Sequence, residues 1–170
     1  MPRRLLLSLV VGILVVAVTA GAQPAAKGKG ALITLEKGGE IAIEFFPADA
    51  PKTVENFVTL AQKGFYDNLT FHRVVPDFVV QGGCPKGDGT GGPGHTVKAE
   101  FNTQKHVRGS VAMARSQHPD SAGSQFYITY GATPHLDGNY TVFGHVVSGM
   151  EHVDRIKQGD RMKTVAIVEE

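Results

Sequence analysis

Nucleophiles and metal ligands often carry catalysis, and this chain offers seven histidines, Ser124 and a single cysteine, Cys84. No His-x-x-x-His pair marks a helix, and one cysteine forms neither a CxxC site nor an intramolecular disulfide. Ser124 lies in the motif GSQ, not in the Gly-x-Ser-x-Gly elbow of a hydrolase. We therefore expect no bound metal, no cofactor and no hydrolase built on Ser124.

A glycine-rich stretch at residues 82–94 contains seven glycines. It lacks the Gly-Lys-Ser/Thr ending of a phosphate-binding loop. The motif DGTG at 88–91 has no second copy to supply the paired carboxylates of an aspartic protease. The glycines allow positive φ angles in a long surface loop, which is the simpler interpretation of their number.

Polar side chains inside apolar, strand-like segments are the more unusual feature. Arg73 and Gln81 lie in FHRVVPDFVVQGG at 71–83, and Gln125 lies beside aromatic residues in GSQFYI at 123–128. An arginine in a strand is more often simply solvated on an outward face, which is the alternative to a functional role. These three residues are the remaining candidates for chemistry.

The first elements that would position these residues are a hairpin and a helix. Residues 31–36 and 40–45 alternate in part, and Gly38-Gly39 between them suits a tight turn. The next segment predicts a helix whose buried face has helical spacing and consists of Val54, Phe57, Val58 and Ala61. Asp49 suits the N-cap, Pro51 suits the first turn and Gly64 suits the C-terminal stop.

Six further strands and a second helix follow from the same patterns. The strands are expected at residues 69–74, 78–81, 110–114, 125–129, 141–147 and 164–168. A short amphipathic helix at 151–157 would bury Val153 and Ile156. About eight short strands with glycine turns favour a mainly β fold whose antiparallel sheet closes on itself, because closure removes exposed edges.

The N-terminus has the pattern of a secretory signal peptide. Arg3 and Arg4 precede an apolar run at 5–18, and Ala20-Gly-Ala22 supplies a cleavage pattern. The run is shorter than the roughly 20 residues that span a bilayer, so no membrane span is expected after cleavage, although an uncleaved anchor is the alternative. The domains are then a signal peptide at 1–22, a flexible leader at 23–30 and one domain at 31–170.

Composition and charge agree with one globular domain and exclude several partners. The chain has 170 residues, 42% of them hydrophobic, and a formal net charge of +1. Cleavage would leave 15 basic and 16 acidic residues, hence a charge of −1. Because the lysines and arginines are scattered, neither nucleic acid nor an anionic membrane surface is an expected partner.

Seven collinear motifs resemble the cyclophilin family of peptidyl-prolyl cis/trans isomerases: FHRVVP at 71–76, FVVQGG at 78–83, GTGG at 89–92, GSVAMA at 109–114, GSQF at 123–126, LDG at 136–138 and VFG at 142–144. The resemblance runs from residue 31 to 170. It implies a closed eight-stranded antiparallel barrel capped by two α-helices, with a substrate groove on its outer face. The short central loops are similar to those of prokaryotic members, so export would lead to a bacterial periplasm; secretion or a eukaryotic secretory lumen is the alternative.

The resemblance also assigns site residues by position. The catalytic group implied is Arg73, Phe78 and Gln81, and the substrate-binding residues implied are His72, Val79, Ala114, Arg115, Gln125, Tyr127, His135, Leu136 and Tyr140. Five of these depart from the usual family residues, which are methionine at Val79, asparagine at Arg115, phenylalanine at Tyr127, tryptophan at His135 and histidine at Tyr140. Because His135 lacks the indole, we expect weak cyclosporin binding.

The activity implied is rotation of X-Pro bonds in unfolded or flexible polypeptides, by a monomer without a cofactor. Twisting the amide localises a lone pair on the prolyl nitrogen, and a guanidinium at Arg73 would stabilise that state more than the planar one. The competing interpretation is a module that binds proline-containing peptides, or a chaperone, with little turnover, since one fold hosts many functions. Retention of Arg73 favours the enzyme.

Overall fold

The computed structural model describes residues 29–169, which form eight strands and two helices. In chain order these are β1 Gly30–Leu35, β2 Glu40–Phe45, α1 Pro51–Gln62, β3 Arg73–Val75, β4 Val79–Gly82, β5 Ser110–Met113, β6 Phe126–Thr129, β7 Val142–Ser148, α2 Met150–Val153 and β8 Met162–Val168. Two single 3-10 turns, at Pro119–Ser121 and Pro134–Leu136, flank β6. The signal peptide predicted at 1–22 and the leader predicted up to residue 28 lie outside the described residues.

All eight strands belong to one antiparallel sheet, in the order β3-β4-β6-β5-β7-β2-β1-β8. The sheet curls around a core, which confirms the mainly β, eight-stranded prediction. Full closure was an overstatement, because the two edge strands, β3 and β8, form no ladder with each other in residues 29–169. Instead the segment before β3 bonds the segment before β8: the Phe71 N–H donates to the Asp160 oxygen at 2.8 Å, and Thr70 and Arg161 form an isolated bridge.

The same junction explains why the strand predicted at 69–74 is shorter and later. Residues 69–71 hydrogen-bond the first residue of β8 and the segment before it, with the Met162 N–H donating to the Leu69 oxygen at 2.9 Å. Regular pairing with β4 begins only at Arg73. The chain therefore changes partner within the predicted strand, which alternating hydrophobicity alone cannot reveal.

The hairpin of β1 and β2 confirms the first strand pair. Gly38 and Gly39 adopt φ angles of +92° and +98° in its turn, a region that favours glycine. Alternate residues of both strands, among them Ile33 and Ile41, are fully buried. They pack with the buried face of α1, where the Phe57 ring lies 5.4 Å from the Phe126 ring.

The start of α1 is capped from a distance rather than by Asp49, so that prediction is wrong. The N-cap position is Ala50, which makes no side-chain cap bond, and Pro51 occupies the first turn as predicted. The Glu100 carboxylate accepts hydrogen bonds from the backbone N–H groups of Lys52 and Thr53, at 3.0 and 2.8 Å. Asp49 instead accepts from the Gln104 amide at 2.9 Å.

The second helix is shorter than predicted. Only Met150–Val153 is helical, and the segment expected to continue to residue 157 forms tighter turns, with the Ile156 N–H donating to the Val153 oxygen. Both Val153 and Ile156 are nevertheless buried, as the amphipathic pattern predicted. Within residues 29–169 no helix has the length and apolarity needed to cross a membrane.

We expect Glu100→Ala to lower the free energy of unfolding by about 1–3 kcal/mol, because it removes the carboxylate that caps α1. Urea denaturation followed by circular dichroism measures this change. Glu55→Ala is the matched control, since its carboxylate pairs with Lys52 on the exposed helix surface at 2.9 Å, and such a pair contributes less than about 0.5 kcal/mol. Equal losses in the two variants would refute the distant cap.

Candidate functional site

Strand register lines up the candidate residues in one row across the sheet. Arg73 on β3 lies opposite Gln81 on β4, Gln81 lies opposite Tyr127 on β6, and Tyr127 lies opposite Ala112 on β5. Directly opposed residues project to the same face of a sheet. The adjacent row, Val74, Val80, Ile128 and Val111, packs in or against the barrel core. The Arg73 row therefore lies on the outer face.

A second apolar cluster covers this outer face and is separate from the core. Its buried members are Val79, Ala112, Tyr127, Leu136 and Val142, and Phe46, Phe78, Ala114 and Tyr140 pack against them. Leu136 reaches the cluster from the 3-10 turn at Pro134–Leu136. The outer face thus carries an apolar surface that does not serve the main core.

Two neighbouring cavities open on this cluster. The small cavity, of about 210 Å³, is lined by Arg73, Phe78, Val79, Gln81, Ala114, Arg115, Tyr127, Leu136 and Tyr140. The large cavity, of about 670 Å³, extends along the glycine-rich stretch and shares Gln81, Ala114 and Arg115 with the small one. The two form one continuous outer groove, and neither is lined by a carboxylate among residues 29–169.

A chain of amide hydrogen bonds orients the Arg73 guanidinium. Its Nη1 donates to Oε1 of Gln81 at 3.3 Å, and Nε2 of Gln81 donates to Oε1 of Gln125 at 3.0 Å. Nε2 of Gln125 donates in turn to the backbone oxygens of Gly89 and Gly91, at 2.8 and 2.9 Å. Each amide therefore has a defined orientation, and the chain runs from the loop backbone to the cation.

The glycine-rich stretch is what supplies those two carbonyl oxygens. Gly89 adopts a φ of +87°, which favours glycine. The N–H groups of Gly89 and Gly91 both approach the Cys84 sulfur at 3.3 Å, so the buried thiol organises the same loop. The loop thus orients Gln125.

Arg115 lines both cavities where they meet, and its side chain has several partners. Its guanidinium donates to the backbone oxygens of Asn139, Ser116 and Gln117 at 2.9 to 3.2 Å. The same group lies over the Tyr140 ring, 4.8 Å from its centroid, a cation–π distance. Arg115 therefore ties the end of β5 to the loop that follows Leu136.

Two predicted residues lie at the edge of the groove rather than in the small cavity. The His135 ring stacks on the Phe78 ring, with centroids 5.6 Å apart and planes 19° apart. His72 is half-buried beside the glycine-rich loop, and desolvation, together with the Arg73 charge, lowers the pKa of its imidazole. Gln125 lines the large cavity. The nine other predicted residues line the small one.

A buried polar network behind the small cavity was not predicted. Tyr127 Oη lies 3.0 Å from Nε2 of His106, and Nδ1 of His106 lies 3.0 Å from Oδ1 of Asp137. The His106 side chain is completely buried. Its only sequence signal was indirect, since Asp137 belongs to the LDG motif and His106 is isolated in a loop segment.

The groove offers binding and a fixed cation rather than a nucleophile. Its apolar walls can hold a small ring, and Arg73 lies at the edge of that space with several N–H donors. The phenol of Tyr127 has its pKa raised by burial, so it stays protonated. Within residues 29–169 no three His, Cys, Asp or Glu side chains form a group that could hold a metal ion.

Comparison with known sequences agrees with this geometry. The family model described as "Cyclophilin type peptidyl-prolyl cis-trans isomerase/CLD" matches residues 31–169. A peptidyl-prolyl cis-trans isomerase of Helicobacter pylori is 54% identical over 131 residues, which cover 75% of this chain and 80% of that protein. Peptidyl-prolyl cis-trans isomerase B of Bacillus subtilis is 52% identical over 135 residues, covering 78% and 94%.

Solved structures show the same likeness in three dimensions. A cyclophilin-type isomerase of Cryptosporidium parvum superposes with a TM-score of 0.78 at 31% identity, covering 85% of this chain and 99% of that one. A second structure of that protein, determined in the presence of the dipeptide Ala-Pro, superposes with a TM-score of 0.76 at 32% identity, covering 83% and 99%.

Proposed function

The chain belongs to the family of cyclophilin-type peptidyl-prolyl cis-trans isomerases, and from this premise we propose that its outer groove rotates X-Pro bonds in unfolded or flexible polypeptides. The observation that supports this most is the Arg73 guanidinium, held by Gln81 at the edge of an apolar cavity. The similar Cryptosporidium parvum protein was crystallised in the presence of Ala-Pro, which suits a prolyl ring as the occupant.

The reaction needs electrostatic stabilisation and no bond cleavage. Partial double-bond character gives a peptide bond a rotational barrier of about 18–20 kcal/mol, and X-Pro bonds interconvert over tens to hundreds of seconds. In the twisted transition state the nitrogen lone pair no longer conjugates with the carbonyl. A guanidinium N–H that donates to this lone pair bonds the transition state more strongly than the planar ground state, which lowers the barrier.

Arg73 suits that role because a hydrogen bond to Gln81 orients its guanidinium before substrate arrives. The guanidinium stays charged, and its planar fork loses less freedom per hydrogen bond than a lysine ammonium. Gln81 engages one N–H at 3.3 Å and is itself held by Gln125. The guanidinium therefore needs little reorientation when the prolyl nitrogen becomes pyramidal.

The rest of the groove holds the two sides of the rotating bond. Phe78, Tyr127 and Leu136 would clasp the prolyl ring in the small cavity. We assign the flanking peptide to the large cavity, which meets the small one at Ala114 and Arg115. With the ring clasped on one side, the carbonyl that precedes proline is the part that turns.

The proposed setting is outside the cytoplasm, on the basis of the N-terminal pattern, and the proposed state is a monomer. An isomerase outside the cytoplasm needs only encounters with unfolded chains, because rotation of an X-Pro bond consumes no cofactor. Mass spectrometry of fractionated cells is expected to find a soluble protein that begins near Gln23. Intact protein retained in the membrane fraction would replace this proposal with the anchored alternative.

Arg73→Ala is expected to lower kcat/KM for an X-Pro peptide at least about tenfold, equivalent to about 1.4 kcal/mol, with the fold retained. The cause is the lost donor to the prolyl nitrogen. A protease-coupled assay gives the rate and circular dichroism gives the fold. Arg155→Ala, which changes an exposed arginine outside both cavities, is the control and keeps full activity. A folded Arg73→Ala protein with parental activity would refute the catalytic role of Arg73, whereas a parent without isomerase activity would favour the binding module.

His135→Trp is expected to tighten cyclosporin binding more than it changes kcat/KM for a short peptide. His135 stacks on Phe78 at the rim, where an indole adds apolar area and a differently placed N–H donor. His135 does not line the small cavity, so we expect the substitution to change kcat/KM for a short peptide little. Calorimetric titration compares the two proteins. Equal affinities, or nanomolar binding by the parent, would contradict the assignment of weak binding to His135.

A further inference from the structure

We propose that His106, braced by Asp137, is a positioning residue that sets the Tyr127 ring as a wall of the small cavity and thereby governs how tightly the prolyl ring is held. This inference rests on the proposed isomerase function. His106 and Asp137 touch no substrate in the mechanism above. His106 is the one fully buried histidine side chain of residues 29–169 that hydrogen-bonds a residue of the small cavity.

The network has a defined direction. The Asp137 carboxylate accepts the backbone N–H of His106 at 2.8 Å, and its contact with Nδ1 at 3.0 Å requires a proton on that nitrogen. Nε2 of the neutral ring is then an acceptor, and the Tyr127 hydroxyl is its donor at 3.0 Å. The partners thus assign both the histidine tautomer and the direction of the tyrosine hydroxyl.

The hydroxyl bond restrains the aromatic wall itself. The Tyr127 ring stacks on the His106 ring, with centroids 6.0 Å apart, and meets the Tyr140 ring edge-on at 5.9 Å. The bond to His106 holds the hydroxyl end of the Tyr127 ring in one position, and the two neighbouring rings limit how the ring can turn. The wall is therefore in place before the prolyl ring enters, and less order is lost on binding.

The same carboxylate connects a second wall. Asp137 follows Leu136, which lines the small cavity from the 3-10 turn, and Lys105 pairs with the other oxygen of Asp137 at 3.4 Å. Asp137 therefore links Leu136, through the chain, with Tyr127, through His106. Loss of any member of the network leaves a buried polar group unpaired behind the cavity, which costs free energy locally.

Protonation of His106 provides a way to test whether its contact with Tyr127 affects substrate binding. The charged groups that face its ring are Asp137, which raises its pKa, and His135, which lowers it; Lys105 acts through Asp137. Burial outweighs Asp137, so the pKa of His106 lies below its ordinary value. Protonated His106 donates from Nε2 to the Tyr127 oxygen, so the hydroxyl proton must turn away and loses its acceptor. Binding of substrate should weaken as pH falls through that lowered pKa.

The test is a double-mutant cycle on the intact protein, with KM and kcat for an X-Pro peptide measured by exchange spectroscopy. Tyr127→Phe and His106→Gln should each raise KM about fivefold and change kcat less than twofold. In the Tyr127→Phe protein, adding His106→Gln should raise KM less than twofold further, because the bond is already lost. Tyr130→Phe, which alters a tyrosine outside both cavities, is the matched control.

The pH profile keeps the proposal testable if His106→Gln does not fold. KM of the parent should rise as pH falls through the lowered pKa of His106, and this rise should be absent in Tyr127→Phe, which leaves His106 in place. Effects of the two substitutions that multiply independently, unchanged KM, or the same low-pH rise in both proteins would overturn the positioning role. In each of these cases an active parent leaves the proposed isomerase function intact, whereas an inactive parent refutes both.

Discussion

The hydrogen-bonded chain from the glycine loop to Arg73 is the interaction on which the site depends. A lone arginine on the outer face of a barrel would be a solvated, mobile cation. Here Gln81 holds it, Gln125 holds Gln81, and the oxygens of Gly89 and Gly91 hold Gln125. Because every link has a donor and an acceptor in fixed order, the orientation of the guanidinium that we place beside the prolyl nitrogen depends on the backbone of the glycine-rich loop.

The barrel contributes by separating stability from function. Alternation along each strand sends one row of side chains into the core and the next row outward, so Val80 packs inside while Gln81 reaches the groove. The outer row is supported by the second apolar cluster, by the hydrogen bonds of Arg115 to the Asn139 backbone and by the His106 network. The groove walls are consequently fixed by contacts that the main core does not need.

The elements whose signals are local could be predicted from the sequence, and those that depend on distant partners could not. Alternation and the paired glycines located the β1–β2 hairpin, and helical spacing located α1. The cap of α1 comes from Glu100, the strand expected at 69–74 changes partner, and complete closure fails between the edge strands. At the site, motif positions identified the cavity residues, whereas His106 became visible only through its fold-dependent contact with Tyr127.

The central claim is that Gln81 acts through the guanidinium it holds, and a double-mutant cycle between Arg73→Ala and Gln81→Ala tests it most directly. The quantity to measure is kcat/KM for one X-Pro peptide in all four folded proteins. We expect strong coupling: Gln81→Ala should lower kcat/KM several-fold in the parent and should leave it almost unchanged once Arg73 has been replaced. Losses that multiply independently would show that Gln81 contributes by another route and would contradict the account.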